Sequence, residues 1–399
     1  MSWVRIPHLL PFERNSDMER KILASEELRI FRDTVREIIK SQIVPEYEKW
    51  EDARMVPREA WLEAGRQGWL CPEASEEFGG MGASLLYTVI LTEELYYHGV
   101  SGFFIPLHNG IVYPYIDRFG TPEQKKKWTP GCVSGETILA LAMSEPCFGS
   151  DIAHLTTEAR RDGDYYVLNG SKTFISNGQL ADLFVVAVRT DPKAEPAHRG
   201  ISLILVDSNC KGFSRGKNLD KVGFHAQDTS EIFFEDCRVP VANLLGKENE
   251  GFKYLMQNLQ QERLVLAIGA AAAAAGSLDL TVEYVKTRHA FGQPLSKFQN
   301  TRFKLAEAAA RVSLAQSYLD DLIVRHLNNE KLVKEVSIAK YWITETQFQV
   351  ADDCLQLFGG YGYMREYPIS RYFVDARVQR VYGGSNEIMK ELIARELGL

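Results

Sequence analysis

The sequence predicts an α+β protein built from three consecutive parts, and three observations indicate this. Helical periodicity dominates residues 1–135, short β-branched and aromatic runs dominate residues 136–244, and long uninterrupted helical patterns fill residues 245–399. We therefore expect an N-terminal all-helical domain, a middle antiparallel β-barrel or sandwich domain and a C-terminal four-helix-bundle domain, with these boundaries. The length of 399 residues suits two or three domains, since one domain holds about 150 residues.

The N-terminal part contains three predicted helices. The first carries an apolar stripe at helical spacing, formed by Leu28, Phe31, Val35, Ile38 and Ile39. Pro57 begins the second and Gly68 stands where it should end, which is the usual asymmetry of helix boundaries. The third spans residues 84–98, with Ser84 as its N-cap and Gly99 beyond its last turn.

The middle part changes to β periodicity. Short apolar, β-branched or aromatic runs occur at residues 137–142, 165–168, 183–189, 201–207 and 231–239. Asn169-Gly170 is a typical hairpin turn between two runs, and Asn177-Gly178 is a second turn. No helical pattern separates these runs, which favours an antiparallel barrel or sandwich.

The C-terminal part returns to helical patterns, each long enough to cross a bundle. They span residues 251–286, 299–328 and 331–358. Gly292 and Pro294 separate the first pattern from the second, and the glycines of residues 359–362 end the third.

Charge and composition exclude several classes of function. The net charge of −7 provides no field suited to a nucleic-acid backbone, so we expect no nucleic-acid partner. The longest uncharged stretch, residues 264–278, is mostly alanine and shorter than the roughly 18 residues of a membrane span, so we expect no such span. Glu13, Asp17 and Glu19 argue against a secretory signal and an acid-poor transit peptide.

The common motifs for metal, phosphate and nucleophile chemistry are absent from the sequence. The six cysteines form no CxxC pair and the eight histidines show no ligand spacing, so we expect reduced thiols and no metal. There is no Walker A and no G-x-S-x-G motif, and the glycines of residues 359–362 do not follow a predicted strand.

Glu262 stands out because it places a carboxylate on an apolar helical stripe. Its helical neighbours are Asn258 and Leu259 one turn before it, and Val265 and Leu266 one turn after it. Burial would raise the pKa of such a carboxyl, which suits a general base. The alternative is a structural glutamate paired with an arginine of a neighbouring chain, and the spacing alone favours that alternative.

Two neighbouring features also have two interpretations. Arg263 is either a ligand-binding residue or a side chain whose guanidinium reaches solvent. The small residues of 267–276 allow either the close approach of a flat ligand or tight packing of another helix.

Four segments resemble the conserved signature of the acyl-CoA dehydrogenases, in the family's order and at similar distances. They are residues 142–151 (AMSEPCFGSD), 288–294 (RHAFGQP), 356–362 (QLFGGYG) and 382–388 (YGGSNEI). The resemblance implies an α–β–α fold, bound FAD and a homotetramer. It also implies the α,β-dehydrogenation of an acyl-CoA thioester, with electrons passed to electron-transferring flavoprotein.

The resemblance also implies which residue is the base. Most members place a glutamate directly after the tyrosine of the last segment, where this chain has Gly383. A smaller branch, including the long-chain and isovaleryl enzymes, places it on the first C-terminal helix before an arginine, and Glu262-Arg263 matches that pattern. The resemblance therefore assigns Glu262 as the base. At position 383, the resemblance implies that the glycine N–H donates to the thioester carbonyl. We also expect the missing side chain to leave space through which Glu262 could reach the α-carbon.

Further site residues follow from the resemblance alone. The cofactor contacts it implies are Met143, Ser144, Phe174, Ile175, Ser176, Arg288, Phe291, Gln299, Gln356, Gly359, Gly360, Ser385 and Asn386. The substrate contacts it implies are Ser150, Gln260, Arg263 and Gly384. Without the resemblance, Phe174 is equally well a core aromatic, and Ser385 is the N-cap of the last helix. Asp375 and Arg377 read as a structural ion pair.

Three functional hypotheses result from these observations. The first is a dehydrogenase acting on straight medium-to-long acyl chains, with short branched chains as the rival substrate, in the bacterial cytoplasm or a mitochondrial matrix. Met1 leading almost directly into the family region favours the bacterial location. The second is an acyl-CoA oxidase or flavin monooxygenase on the same fold, and the third is a catalytically silent acyl-CoA-binding protein.

Overall fold

The computed structural model describes residues 20–399, so that Glu13, Asp17 and Glu19 lie outside the described residues. Its N-terminal part is helical. The helices are α1 (Glu26–Ile38), α2 (Val44–Ala53), α3 (Arg58–Arg66), α4 (Leu86–Tyr97), α5 (Tyr113–Phe119) and α6 (Pro122–Ser134). Helices α1, α3 and α4 confirm the three helices predicted from the sequence.

Two of these helices begin after a π-helical turn. Ile39–Ile43 joins α1 to α2, and Leu107–Val112 leads into α5. In both cases a proline, Pro45 or Pro114, lies in the first turn of the next helix. Proline has no backbone N–H to donate, so the hydrogen-bond ladder is interrupted and widens there. Helix α5 then places Tyr115 in contact with the C-terminal part.

The middle part is confirmed as a largely antiparallel β domain. Its strands are β1 (Leu139–Ala142), β2 (Glu158–Asp162), β3 (Tyr165–Ser176), β4 (Leu183–Arg189), β5 (Ile201–Asp207), β6 (Phe213–Asn218), β7 (Thr229–Pro240) and β8 (Leu244–Leu245). The strand order is β6-β7-β3-β2-β4-β5-β8, with β1 beside β4. Strand β4 pairs in parallel with β1 and β2, and the other neighbouring pairs are antiparallel.

The hairpin turn predicted at Asn169-Gly170 is wrong. Strand β3 continues through these residues, with a β-bulge between Leu168 and Gly170. A Cβ atom at position 170 would lie 2.7 Å from Thr157 Cα, so the glycine serves a close backbone approach. The turn between β2 and β3 lies instead at Gly163, whose φ is +61°.

The C-terminal part is a helical bundle. Its helices are α7 (Gly251–Thr287), α8 (Gln299–Leu327), α9 (Val333–Phe358), α10 (Pro368–Gln379) and α11 (Asn386–Glu396), and the short strands β9 (His289–Ala290) and β10 (Gln293–Pro294) join α7 to α8. Helices α7, α8 and α9 pack against one another, and α10 and α11 pack on α9. The three long helices were predicted within two residues at each end. The domain boundaries at 135/136 and 244/245 stay predictions.

Small residues in α7 let α4 approach it closely. A Cβ atom at Gly269 would lie 2.9 Å from the Tyr96 ring, and one at Gly276 would lie 2.0 Å from the Tyr97 carbonyl oxygen. Any larger side chain would push the two helices apart. Tight helix packing therefore accounts for the glycines of residues 267–276.

Helix α7 is long and apolar enough, by length and composition, to cross a membrane. Its most apolar 18-residue window has a mean hydropathy of 1.7, and 83% of that window is buried inside the protein. Core helices of globular proteins pass the same test.

Candidate active site

A large cavity lies between the loops of the β domain and the C-terminal helices. Its volume is about 1820 Å³, and residues from β3, α7, α9, α10 and α11 line it. Pockets for a single small ligand usually measure about 300–1,000 Å³. The cavity therefore has room for more than one such ligand.

Most of the residues assigned to cofactor and substrate from the β domain, α7 and the last turn line this cavity. They are Met143, Ser144, Ser150, Phe174, Ser176, Gln260, Arg263, Gly383, Gly384 and Ser385. Three others are buried in the protein and are absent from the cavity lining: Ile175, Glu262 and Asn386.

A buried ion pair holds the loop that carries Met143 at the cavity rim. Lys172 is fully buried, and its ammonium lies 2.8 Å from Glu145 Oε1 and 3.1 Å from the Met143 carbonyl oxygen. The carboxylate also accepts the backbone N–H groups of Thr156 and Thr157. Burial would raise the pKa of Glu145, but Lys172 and these hydrogen bonds lower it to about 2. No local pattern indicates this ion pair, since its two members are 27 residues apart.

Phe174 presents its ring to the cavity rather than to the β-domain core. The side chain is 72% exposed, and its backbone has a φ of +57° beside a bulge in β3. The neighbouring Ile175 points the other way and is buried. The alternative of a core aromatic is therefore wrong, and the ring is available to stack on a flat ligand.

A second group of assigned residues lies elsewhere, at the ends of α7 and α9. Arg288, Gln356, Gly359 and Gly360 line a separate cavity of about 540 Å³. A Cβ atom at either glycine would meet nothing within 4 Å, so the backbone there is open to an approaching group. Nearby Phe291 is 95% exposed. Gln299, the first residue of α8, is also exposed.

Glu262 is buried between α7 and α5. Its side chain accepts a hydrogen bond of 2.6 Å from the Tyr115 hydroxyl at Oε1, and only 3% of the residue is exposed. Burial raises the pKa of Glu262 to about 7, against the opposing effects of the Tyr115 hydrogen bond and the charges of Arg263 and Arg118. The structural alternative, a pair with another chain's arginine, does not fit a carboxylate enclosed within its own chain.

The turn after α10 brings Gly383 against α7. The Gly383 carbonyl oxygen accepts from Arg263 Nε at 3.4 Å, and the φ of Gly383 is +64°. A Cβ atom here would lie 2.3 Å from Leu266 Cδ1. The space expected to let Glu262 reach the α-carbon is thus filled by Leu266, one helical turn after Glu262.

The last turn also begins α11. The Ser385 hydroxyl accepts from the Ile388 N–H at 3.4 Å, as an N-cap does, and Ser385 also lines the cavity. Asn386 is held away from the cavity by hydrogen bonds with Lys340 and Thr344. It supports the turn from behind.

The pair expected between Asp375 and Arg377 is wrong. Asp375 is buried and accepts from the Phe224 N–H at 2.5 Å and the Ser101 hydroxyl at 2.9 Å, while Arg377 lines the cavity. Burial raises the pKa of Asp375 to about 7.

Basic side chains around the cavity were missed by the sequence analysis. They are Arg118, Lys221, Lys253, Lys331, Arg377 and Arg395. They come from distant parts of the chain, so no local run of basic residues in the sequence indicates them. Together they make the cavity suitable for an anionic ligand.

Over the described range 20–399, no cluster of three His, Cys, Asp or Glu side chains has the geometry to hold a metal ion. The six cysteines are free thiols, and four of them are buried. Carboxylate, guanidinium, hydroxyl and backbone groups surround the cavity instead.

Three family models match consecutive parts of the chain. The acyl-CoA dehydrogenase N-terminal domain matches residues 25–136, the middle domain residues 140–237 and the C-terminal domain residues 249–398. Together they cover most of the sequence in the order of the three parts described above.

Individual proteins give the same result. The chain is 46% identical over 378 residues to a mitochondrial long-chain specific acyl-CoA dehydrogenase of Sus scrofa, covering 95% of this chain and 88% of that protein. An acyl-CoA dehydrogenase structure from Geobacillus kaustophilus is 51% identical, with a TM-score of 0.93 over 94% of this chain and 99% of that one. A glutaryl-CoA dehydrogenase of Mycobacterium smegmatis, solved with FADH2, is 29% identical, with a TM-score of 0.88 over 95% and 96% of the two chains. The resemblance seen in four sequence segments is confirmed, and the chain belongs to the acyl-CoA dehydrogenase family.

Proposed function

We propose that this protein is an FAD-dependent enzyme that converts a fatty acyl-CoA thioester to the trans-2-enoyl-CoA. In this proposal Glu262 removes the α-proton, and electrons leave through electron-transferring flavoprotein. The observation that carries the proposal is the buried Glu262 carboxylate next to Arg263, whose guanidinium reaches the Gly383 carbonyl at the cavity wall.

The residues around the cavity fit FAD. The exposed Phe174 ring offers a flat apolar surface, and Ser144 and Ser176 add hydroxyls beside it. At the second group, the open backbone of Gly359 and Gly360 suits the close approach of a pyrophosphate. When bound, FAD would supply the acceptor for the hydride that leaves the β-carbon.

Removal of the α-proton requires a base and stabilisation of the negative charge that develops on the thioester. Glu262 is a suitable base because burial brings its pKa to about 7, so that at neutral pH the ionised carboxylate is available and accepts a proton more readily than an ordinary carboxylate does. The backbone N–H of Gly383 would donate to the thioester carbonyl, where that charge develops. Only 3% of Glu262 is exposed, so little water reaches the carboxylate.

The cavity also supports the substrate class. Basic side chains such as Arg377 and Lys221 suit the phosphates of coenzyme A, and Ser150, Gln260, Arg263 and Gly384 line the same cavity. We propose straight medium-to-long acyl chains as substrates, supported by the 46% identity to a long-chain enzyme.

The two groups of cofactor residues line separate cavities within one chain. A homotetramer would account for this, because a second copy could bring its Arg288 and Gln356 to the FAD of the first. The 95% exposure of Phe291 supports such a contact. The bacterial cytoplasm stays a prediction, since similar proteins include mitochondrial and bacterial enzymes.

Anaerobic addition of acyl-CoA thioesters to the purified holoenzyme tests this function. We expect the yellow colour to bleach, fastest with straight medium-to-long chains, and electron-transferring flavoprotein to restore it. Peroxide release in air at the rate of turnover would identify an oxidase instead. Tight thioester binding without bleaching at any chain length would identify a silent member of the family.

A further inference from the structure

Tyr115 is tied to Glu262 by a short, enclosed hydrogen bond. The tyrosine is fully buried in α5, and its hydroxyl donates to Glu262 Oε1 at 2.6 Å across the contact with α7. Within residues 20–399, Tyr115 is the hydrogen-bond donor to this carboxylate. The bond leaves Oε2 as the oxygen to which a proton can be added.

The arginines near Glu262 act on it by charge alone. Arg118 lies one turn after Tyr115 and donates to Asn258 Oδ1 at 2.7 Å and to Gln261 Oε1. Arg263 directs its Nε to the Gly383 carbonyl. Arg118 from α5 and Arg263 from α7 are the charged groups that influence the Glu262 carboxyl.

The position of Glu262 makes this single hydrogen bond decisive for its orientation. The residue is absent from the cavity lining, whereas Arg118 on one side and Gln260 and Arg263 on the other line the cavity. A glutamate side chain has three rotatable bonds and several staggered arrangements. A fixed partner for one carboxylate oxygen therefore selects one of these arrangements.

We propose that Tyr115 is a positioning residue, whose hydroxyl holds Glu262 Oε1 next to the cavity-lining residues Arg118 and Arg263 and leaves Oε2 as the oxygen that takes the α-proton of the substrate. This inference rests on the proposed function, because it takes Glu262 as the base. Tyr115 keeps its own proton throughout, since burial raises the pKa of this phenol well above 10. The proton taken from the α-carbon stays on Glu262.

The test replaces the hydroxyl and leaves the ring. Tyr115→Phe is compared with Tyr113→Phe, which changes a buried tyrosine in the same helix whose hydroxyl is not hydrogen-bonded to Glu262. In the holoenzyme, the infrared carboxyl band that Glu262→Gln removes reports the titration of Glu262 directly. Because a hydrogen bond to the carboxylate favours the charged form, we expect this band in Tyr115→Phe to titrate about one pH unit higher than in wild type.

A second measurement separates positioning of the base from substrate binding. The rate of flavin reduction at saturating acyl-CoA should fall about tenfold or more in Tyr115→Phe, with the dissociation constant of acyl-CoA changed less than about twofold. Tyr113→Phe should match wild type in both. A wild-type titration and a wild-type rate in Tyr115→Phe would overturn the role of Tyr115.

The outcomes also separate this inference from the proposed function. Reduction at the wild-type rate in Glu262→Gln would refute the base itself, whereas an inactive Glu262→Gln with an unaltered Tyr115→Phe refutes only the positioning role. If Tyr115→Phe does not fold, 3-fluorotyrosine at position 115 replaces it. This stronger donor should move the titration of Glu262 to lower pH, and an unchanged titration would count against the inference.

Discussion

Gly383 and Leu266 compete for the same space in the wall of the active site. A Cβ atom on Gly383 would lie 2.3 Å from Leu266 Cδ1, and the φ of +64° at Gly383 already disfavours any other residue. Leu266 lies one turn after Glu262 on α7. Helix α7 therefore carries the Glu262 carboxylate and, through Leu266, also fills the place where a side chain at position 383 would lie. The glutamate on α7 and the glycine in the turn are thus linked.

The first prediction concerns this contact. Gly383→Ala should lower the free energy of unfolding by about 2–4 kcal/mol, because it combines a left-handed backbone with a steric clash. Gly79→Ala is the control, since Gly79 has a φ of +86° but open space around its Cβ position, and it should lose only about 1 kcal/mol. Urea unfolding measures both. Leu266→Ala should recover part of the loss at Gly383, and strictly additive losses would contradict the clash.

The second prediction concerns pH and stability. Folding raises the pKa of Glu262 from 4.5 to about 7, so the folded protein holds a proton that the unfolded chain releases between these values. The ionised carboxylate therefore destabilises the fold above pH 7 and has no effect below pH 4.5. Glu262→Gln keeps an acceptor for Tyr115 and should stabilise the protein by about 1–3 kcal/mol at pH 8. At pH 5 the gain should be small, and an equal gain at both pH values would exclude this explanation.

The third prediction concerns the buried pair of Glu145 and Lys172. Lys172→Met leaves a buried carboxylate without its partner and should cost about 3–5 kcal/mol. The flavin content should fall with it, because the Met143 carbonyl loses its donor. Arg238→Met breaks an ion pair with Asp162 that is about half exposed and should cost less than about 1 kcal/mol. Urea unfolding and flavin absorbance measure the two effects, and similar losses for both variants would show that burial is not the cause.

The fourth prediction separates binding from stability within β3. Phe174→Ala should weaken flavin binding about tenfold with little change in melting temperature, because the ring is 72% exposed. Ile175→Ala should do the opposite, since it removes a buried side chain at a cost of about 2–5 kcal/mol. Flavin titration and thermal unfolding distinguish them. Equal flavin affinity in Phe174→Ala and wild type would remove Phe174 from the cofactor site.

Particular elements show which parts of the fold could be predicted. Strands β4 and β5 were located to the residue because their continuous apolar runs are buried on both faces. Strand β6 was missed, since its half-exposed residues Phe213–Asn218 have no apolar pattern. The hairpin turn predicted at Asn169-Gly170 was wrong because the sequence does not distinguish a glycine needed for close backbone approach from one needed in a turn.

The site likewise contains residues that could be predicted from the sequence and residues that could not. Glu262 could be found because a carboxylate on an apolar stripe is conspicuous in any sequence. Tyr115 could not, since a buried tyrosine in an apolar segment gives no local sign that its hydroxyl contacts a residue 147 positions away. Asp375 was assigned a partner two residues along the chain, whereas folding gave it the backbone of Phe224.

The most direct test of the central claim is a single-turnover measurement of flavin reduction by acyl-CoA under anaerobic conditions. Glu262→Gln is compared with wild type and with Glu283→Gln, which changes a partly exposed carboxylate on the same helix. If Glu262 is the base, the Glu262→Gln protein binds flavin and acyl-CoA but stays yellow, while Glu283→Gln bleaches as wild type does. Bleaching of Glu262→Gln at the wild-type rate would contradict the claim.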